Sequence, residues 1–135
     1  MKEGKMELEI PVLPEPKPRP KVMKTKSGKV FTVTPGKSSR TEMMIRAWVL
    51  ERADGKFPGG VPLRLEAVFV VPKPKSVPKK RKFPVSRPDL DNYLKLLKDA
   101  LNKYLWEDDA QIVEVRARKE YGDPPRIRLR VEEIG

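Results

Sequence analysis

Two aspartates stand two residues apart in Arg87-Pro88-Asp89-Leu90-Asp91-Asn92, and a second acidic run, Glu107-Asp108-Asp109, follows further along the chain. The sequence has no histidine and no cysteine. That removes disulfides, thiolate nucleophiles, zinc–thiolate sites and the commonest general base and metal ligand together. Chemistry in this chain must run on carboxylates, lysines, hydroxyls and the metals that carboxylates favour.

The acids also have ordinary roles open to them. At a helix start Asp89 can cap and Asp91 can favour the macrodipole. In regular helix the two would point about 200° apart. Both can face one cation only if Asp89 lies in an extended lead-in, which Pro88 favours. Asp91 shares a helical face with Lys95, four residues on, in the favourable orientation for an ion pair, and with Lys98 and Asn102. A helix from Asp89 to Tyr104 would be roughly 25 Å long at 1.5 Å per residue. Asp109 must then return toward Asp91 through the turn and the next strand if the acids are to meet.

The elements that would position these groups follow from patterning. Met6, Leu8, Ile10 and Val12 alternate as in a half-buried strand. Residues 14–29 form a basic, proline-rich loop, with a short strand at Val30 to Val33. A helix runs from Ser38 or Ser39 to about Ala53, with Met43, Met44, Ala47, Trp48 and Leu50 as its apolar contacts. Val61 to Val71 reads as a central strand, and residues 72–86 as a second Pro/Lys-rich loop. The second helix carries Leu90, Tyr93, Leu94, Leu97, Leu101 and Tyr104 at helical spacing. Strands Gln111–Lys119 (Val113, Val115 and Ala117 inward) and Arg126–Glu133 (Ile127, Leu129 and Val131 inward) close the chain. The expected fold is α/β of the α+β kind: one domain over 1–135, a mixed sheet of about four to five strands, and two main helices on one face. The arginine-lined opposite face would stay wet or meet a partner.

The chain is strongly basic: thirty Lys and Arg against nineteen Asp and Glu leave +11 over 135 residues. Such a balance favours a polyanionic partner. Nucleic acid fits better than membrane, because no basic amphipathic helix or long apolar run accompanies the charge. No signal peptide is visible, and a cytoplasmic location is expected.

Three blocks, Arg87-Pro88-Asp89-Leu90-Asp91-Asn92-Tyr93-Leu94-Lys95, then Asp99-Ala100-Leu101, then Trp106-Glu107-Asp108-Asp109-Ala110-Gln111-Ile112, resemble the RusA family of Holliday junction resolvases. The resemblance is close over residues 87–119, Lys119 included, and weaker over residues 16–21. It implies Asp89, Asp91 and Asp109 as metal-binding acids, with Asp108 as the alternative neighbour, and Lys95 as the catalytic lysine. It further implies a homodimer needing Mg2+, with Mn2+ as a substitute, that cuts two opposed strands of a four-way junction symmetrically.

Phosphodiester hydrolysis needs a deprotonated water, compensation of phosphoryl charge and help for the departing 3′-oxygen, and carboxylate-held magnesium or manganese suits those needs. Lys95, one turn beyond Asp91, would neutralise charge on the scissile phosphate or leaving group. Lys79, Lys80, Arg81, Lys82 and Arg87, with Lys17, Arg19, Lys21, Lys24 and Lys119, would bind phosphates without reading bases. No small-molecule substrate or membrane is expected. The alternatives are a non-catalytic basic nucleic-acid-binding protein, a less selective branched-DNA or flap nuclease, and a purely structural subunit whose acids only cap a helix.

Overall fold

The computed structural model describes residues 3–18, 21–33 and 36–135, and of residues 21, 32, 33 and 36–39 the backbone alone. Its elements in chain order are β1 (Lys5–Ile10), β2 (Lys21–Lys24), β3 (Val30–Val33), α1 (Gly36–Arg52), β4 (Leu63–Val71), α2 (Leu90–Leu101), β5 (Ile112–Tyr121) and β6 (Arg126–Glu133), with a 3-10 turn at Asp109–Gln111 before β5. The main sheet has four strands in the order β1-β6-β4-β5. β6 is antiparallel to both β1 and β4, while β4 and β5 run parallel. This is the expected single α+β unit with a mixed sheet.

Alternation along β4 and β6 decides which face is covered. Leu63, Leu65, Ala67 and Phe69 with Ile127, Leu129 and Val131 are buried and meet Leu96, Leu97, Ala100 and Leu101 of α2 and Ile45 and Val49 of α1 in one core. The helices contact each other, and Arg46 Nε donates to the Ala100 carbonyl at 2.9 Å. The other sheet face carries the arginines, and glutamates on the same or neighbouring strands pair with them. Arg64 bonds Glu114 and Glu132, Arg116 bridges to Glu66, and Arg130 to Glu132. Much of the arginine charge expected to await a partner is therefore met within the sheet.

Several sequence expectations change. Residues 21–24 are not loop: they pair antiparallel with β3 as a separate two-stranded hairpin. On α1 the inward positions are Thr41, Ile45 and Val49, while Met43, Met44, Ala47 and Leu50 are exposed. The α1 apolar residues are spread around the helix, so periodicity alone could not select the buried side. Val113 and Val115, expected inward, are 62% and 40% exposed. β5 is an edge strand, and a register shift in the β4–β5 pairing at Leu63/Arg64 leaves Val113 without a partner on β4. Among the described residues no helix is long and apolar enough to cross a membrane.

Candidate active site

α2 starts where the Pro-rich loop ends. Asp89 occupies the N-cap position with extended backbone (φ −68°, ψ 148°), as the lead-in through Pro88 requires. Its backbone carbonyl accepts from the Asn92 and Tyr93 amides. Its side chain makes no capping hydrogen bond. The ordinary explanation for Asp89 therefore fails: its carboxylate is exposed and not spent on the helix. Asp91, in the first turn, and Lys95, one turn on, are also exposed. No ion pair joins them among the described residues.

The segment before Asp89 is fixed from β5. Lys119 Nζ donates to the Ser86 carbonyl at 2.7 Å and to the Pro88 carbonyl at 2.9 Å. Lys119, expected to meet DNA, is a tether for the peptide that presents Asp89. Beneath it the Tyr93 ring stacks on Phe69, with centroids 5.3 Å apart. Burial, with the Glu15 carboxylate adding to it, pushes the Tyr93 phenol above its ordinary value. It stays protonated at neutral pH and supplies no base.

The second acidic run folds as a turn at the other end of α2. Asn102, the C-cap, bonds back to the Lys98 carbonyl, and its Oδ1 accepts the Asp109 amide at 3.1 Å. The indole of Trp106, fully buried, donates to Asp109 Oδ1 at 2.7 Å. Asp108 caps the 3-10 turn, accepting from the Ala110 amide at 2.9 Å. Gln111 locks the arrangement: its Oε1 accepts the Glu107 and Asp108 amides, and its Nε2 donates to the Pro58 and Val61 carbonyls. Lys56 pairs with Glu107 at 2.7 Å, and that hydrogen bond lowers the Glu107 carboxyl below its ordinary value. Each of the three acids in this run has one oxygen engaged, Glu107 by Lys56, Asp108 by the Ala110 amide and Asp109 by the Trp106 indole, and the second oxygen of Asp109 has no hydrogen bond or ion pair among the described residues.

The return of Asp109 toward Asp91 does not occur within one chain. α2 has 12 residues, about 18 Å at 1.5 Å per residue, and Asp109 is anchored at its far end. Magnesium ligands lie about 2.0–2.1 Å from the ion, so acids separated by the length of this helix cannot share one. Accordingly, among the described residues no group of three or more acidic side chains is placed to hold a metal.

The expected DNA-binding cations divide. Lys79, Lys80, Arg81, Lys82 and Arg87 are exposed on the loop leading into Asp89, and Lys24 is exposed on the hairpin. Lys17 is not a free cation: its ammonium pairs with Glu42 of α1 and with Asp99 of α2, the latter at 3.2 Å, and its amide donates to the Asn92 carbonyl. Burial opposes the charge on Lys17, but the Glu42 and Asp99 hydrogen bonds prevail and raise its pKa. Arg19 and the Lys21 side chain lie outside the described residues. Sequence reasoning passed over the anchoring roles of Trp106, Asn102 and Gln111. Their signal was a polar or indole group within hydrogen-bonding range of an acidic turn, ambiguous until the turn is folded.

A family profile described as "Endodeoxyribonuclease RusA" matches residues 11–132, and the chain belongs to that family of nucleases. It is 30% identical over 118 residues to the uncharacterized protein YqaN of Bacillus subtilis (strain 168), covering 81% of this chain and 83% of that one. It is also 34% identical over 82 residues to the crossover junction endodeoxyribonuclease rusA of Lactococcus phage r1t, covering 58% of this chain and 60% of that one.

Proposed function

We propose that the protein is a structure-selective endodeoxyribonuclease that resolves four-way DNA junctions by paired, divalent-metal-dependent hydrolysis, acting as a homodimer. Family membership and the phage relative's name support the substrate class. The observation that carries the catalytic reading is the unspent Asp89 carboxylate beside Asp91 at the end of a cationic loop. Neither carboxylate has a hydrogen bond or ion pair among the described residues, which leaves the pair for a ligand.

Asp89, Asp91 and the free oxygen of Asp109 are hard donors of the kind magnesium or manganese takes. When bound, such an ion acidifies a water and polarises a phosphate. Because one chain holds Asp109 a helix-length away, the third acid of each site comes from a second copy. β5 supports this arrangement. The strand starts at the Asp109 turn and, near its far end, holds Pro88 through Lys119. Among the described residues no strand pairs with its outer edge, which meets only the Lys82 carbonyl at Tyr121, and Val113 and Val115 beside that edge are exposed. A twofold axis that sets two β5 edges antiparallel brings the start of one strand to the end of the other, and so Asp109 of one copy to Asp89 and Asp91 of its mate. Two sites related by that axis match two opposed strands of a junction.

Within a site, the exposed ammonium of Lys95 stands one turn from Asp91 to offset charge on the scissile phosphate. Lys79, Lys80, Arg81, Lys82 and Arg87 would track flanking phosphates. The test is to incubate the protein with a labelled four-way junction and a linear duplex, with magnesium and with chelator. Paired nicks should appear on the junction alone and only with metal, and Asp91→Asn should abolish them while junction binding persists. A protein that shifts the junction and never nicks it is the non-catalytic binder, the reading favoured if Asp109 stays remote in the assembled protein.

A further inference from the structure

Beside the loop that leads into Asp89 lies a cleft of about 660 Å3 that phosphate binding does not explain. Its size falls within the roughly 300–1,000 Å3 of small-ligand sites. Lys73, Arg81 and Lys82 line it together with the aromatic rings of Phe83 and Tyr121. Two carboxylates also line it, Asp123 and Glu120, the latter paired through one oxygen with Arg118 at 3.2 Å. Phe83 is 50% exposed, a costly position for a ring with nothing to cover it.

The cleft is prebuilt. Lys73 Nζ donates to the Pro78 and Lys79 carbonyls, at 3.2 and 2.7 Å, and stands 5.5 Å from the Tyr121 ring centroid. The Tyr121 amide donates to the Lys82 carbonyl at 2.9 Å, closing the loop onto the strand. At the floor, Gly122 permits a close approach: a Cβ there would stand 2.6 Å from Val70 Cγ1. Pro72 and Tyr121 also line the neighbouring cleft formed with Ser86, Arg87, Pro88 and Lys119, so this cavity adjoins the one beside the peptide that presents Asp89.

We infer that this cleft receives an unpaired nucleobase from the DNA strand at the branch point. The inference rests on the junction-resolvase reading above. Flat aromatic faces reward any base by stacking. The two carboxylates disfavour a bare anion but accept hydrogen bonds from the amino and imino groups on a base edge. The lysines and arginine at the rim take the phosphates on either side. A base inside an intact duplex cannot enter, whereas one at a branch unstacks at lower cost. The cleft thus gives a physical basis for preferring branched DNA that exposed lysines alone do not.

The test measures affinity without metal for three probes: a four-way junction, the same junction with a single abasic nucleotide placed in turn at each branch position, and a linear duplex. The wild-type protein and Phe83→Ala are compared. At one branch position the abasic probe should bind the wild type roughly tenfold more weakly. Phe83→Ala should lose a similar factor on the intact junction, show no further loss on the abasic probe, and bind duplex as the wild type does. That absence of additivity marks direct contact between ring and base. Phe83→Leu, which keeps the volume but not the aromatic face, should behave as Phe83→Ala and thereby exclude a merely structural effect. Wild-type protein that prefers the junction but ignores every abasic substitution overturns the base pocket and leaves the resolvase reading standing. No preference for junction over duplex overturns both.

Discussion

The Asp109 amide hydrogen-bonds the Asn102 side chain at 3.1 Å, and Asn102 caps the end of the helix whose opposite end carries Asp89. The third acid of the family pattern is thus pinned a helix-length from the first two by a bond internal to the fold. Its carboxylate is oriented by the Trp106 indole through one oxygen only. The side chain is half-buried and held in place, with no hydrogen bond to its other oxygen among the described residues.

The neighbouring aspartates should separate cleanly. Asp108→Ala removes a cap and should cost about 1 kcal/mol of stability with cutting retained. Asp109→Asn keeps an acceptor for Trp106 and should fold normally, yet cut roughly a hundredfold more slowly or worse. Thermal melts and junction-nicking rates on the two variants check this.

Two lysines should fail in different ways. Lys119→Met frees the Ser86 and Pro88 carbonyls, so cutting should slow by about 10–100-fold, as when groups supporting a metal site are lost, with junction affinity nearly unchanged. Lys80→Ala should weaken binding and lower the slope of log affinity against log salt by about one, with the rate at saturation retained. Binding isotherms at several salt concentrations beside single-turnover rates distinguish them.

Acid should loosen the sheet through Arg64. Hydrogen bonds from Arg64 lower the pKa of Glu114 and Glu132. A carboxyl depressed in the folded state contributes stability above its unfolded value, about 4.3 for glutamate, and loses it as pH falls through the lower folded value. Wild-type melting temperature should therefore drop between about pH 5 and pH 3, and Arg64→Met should flatten that dependence. Melting curves across the range measure it.

Much of the fold was legible because its signals are local. The α2 stripe, the alternation in β4 and β6, and the extended backbone at Asp89 all follow from periodicity or from Pro88. What stayed hidden depends on pairing between distant segments. Lys17 looks like any lysine of a basic loop until Glu42 and Asp99 are folded against it. Lys119 looks like a DNA contact until the carbonyls of Ser86 and Pro88 arrive. Val113 and Val115 alternate like core residues, but alternation cannot tell an edge strand from a central one. The acidic blocks were legible as a set; that α2 would hold them apart could be read only from the turn that anchors Asp109.

The most direct measurement of a site shared between two chains is complementation. Asp91→Asn and Asp109→Asn chains, separately inactive, are co-expressed with different tags, and the mixed dimer is purified and assayed on a junction with magnesium. In a shared site, one of the two centres regains Asp89 and Asp91 from one chain and Asp109 from the other, so the mixed dimer should nick a single strand per junction. A mixed dimer as inactive as either parent would contradict the account.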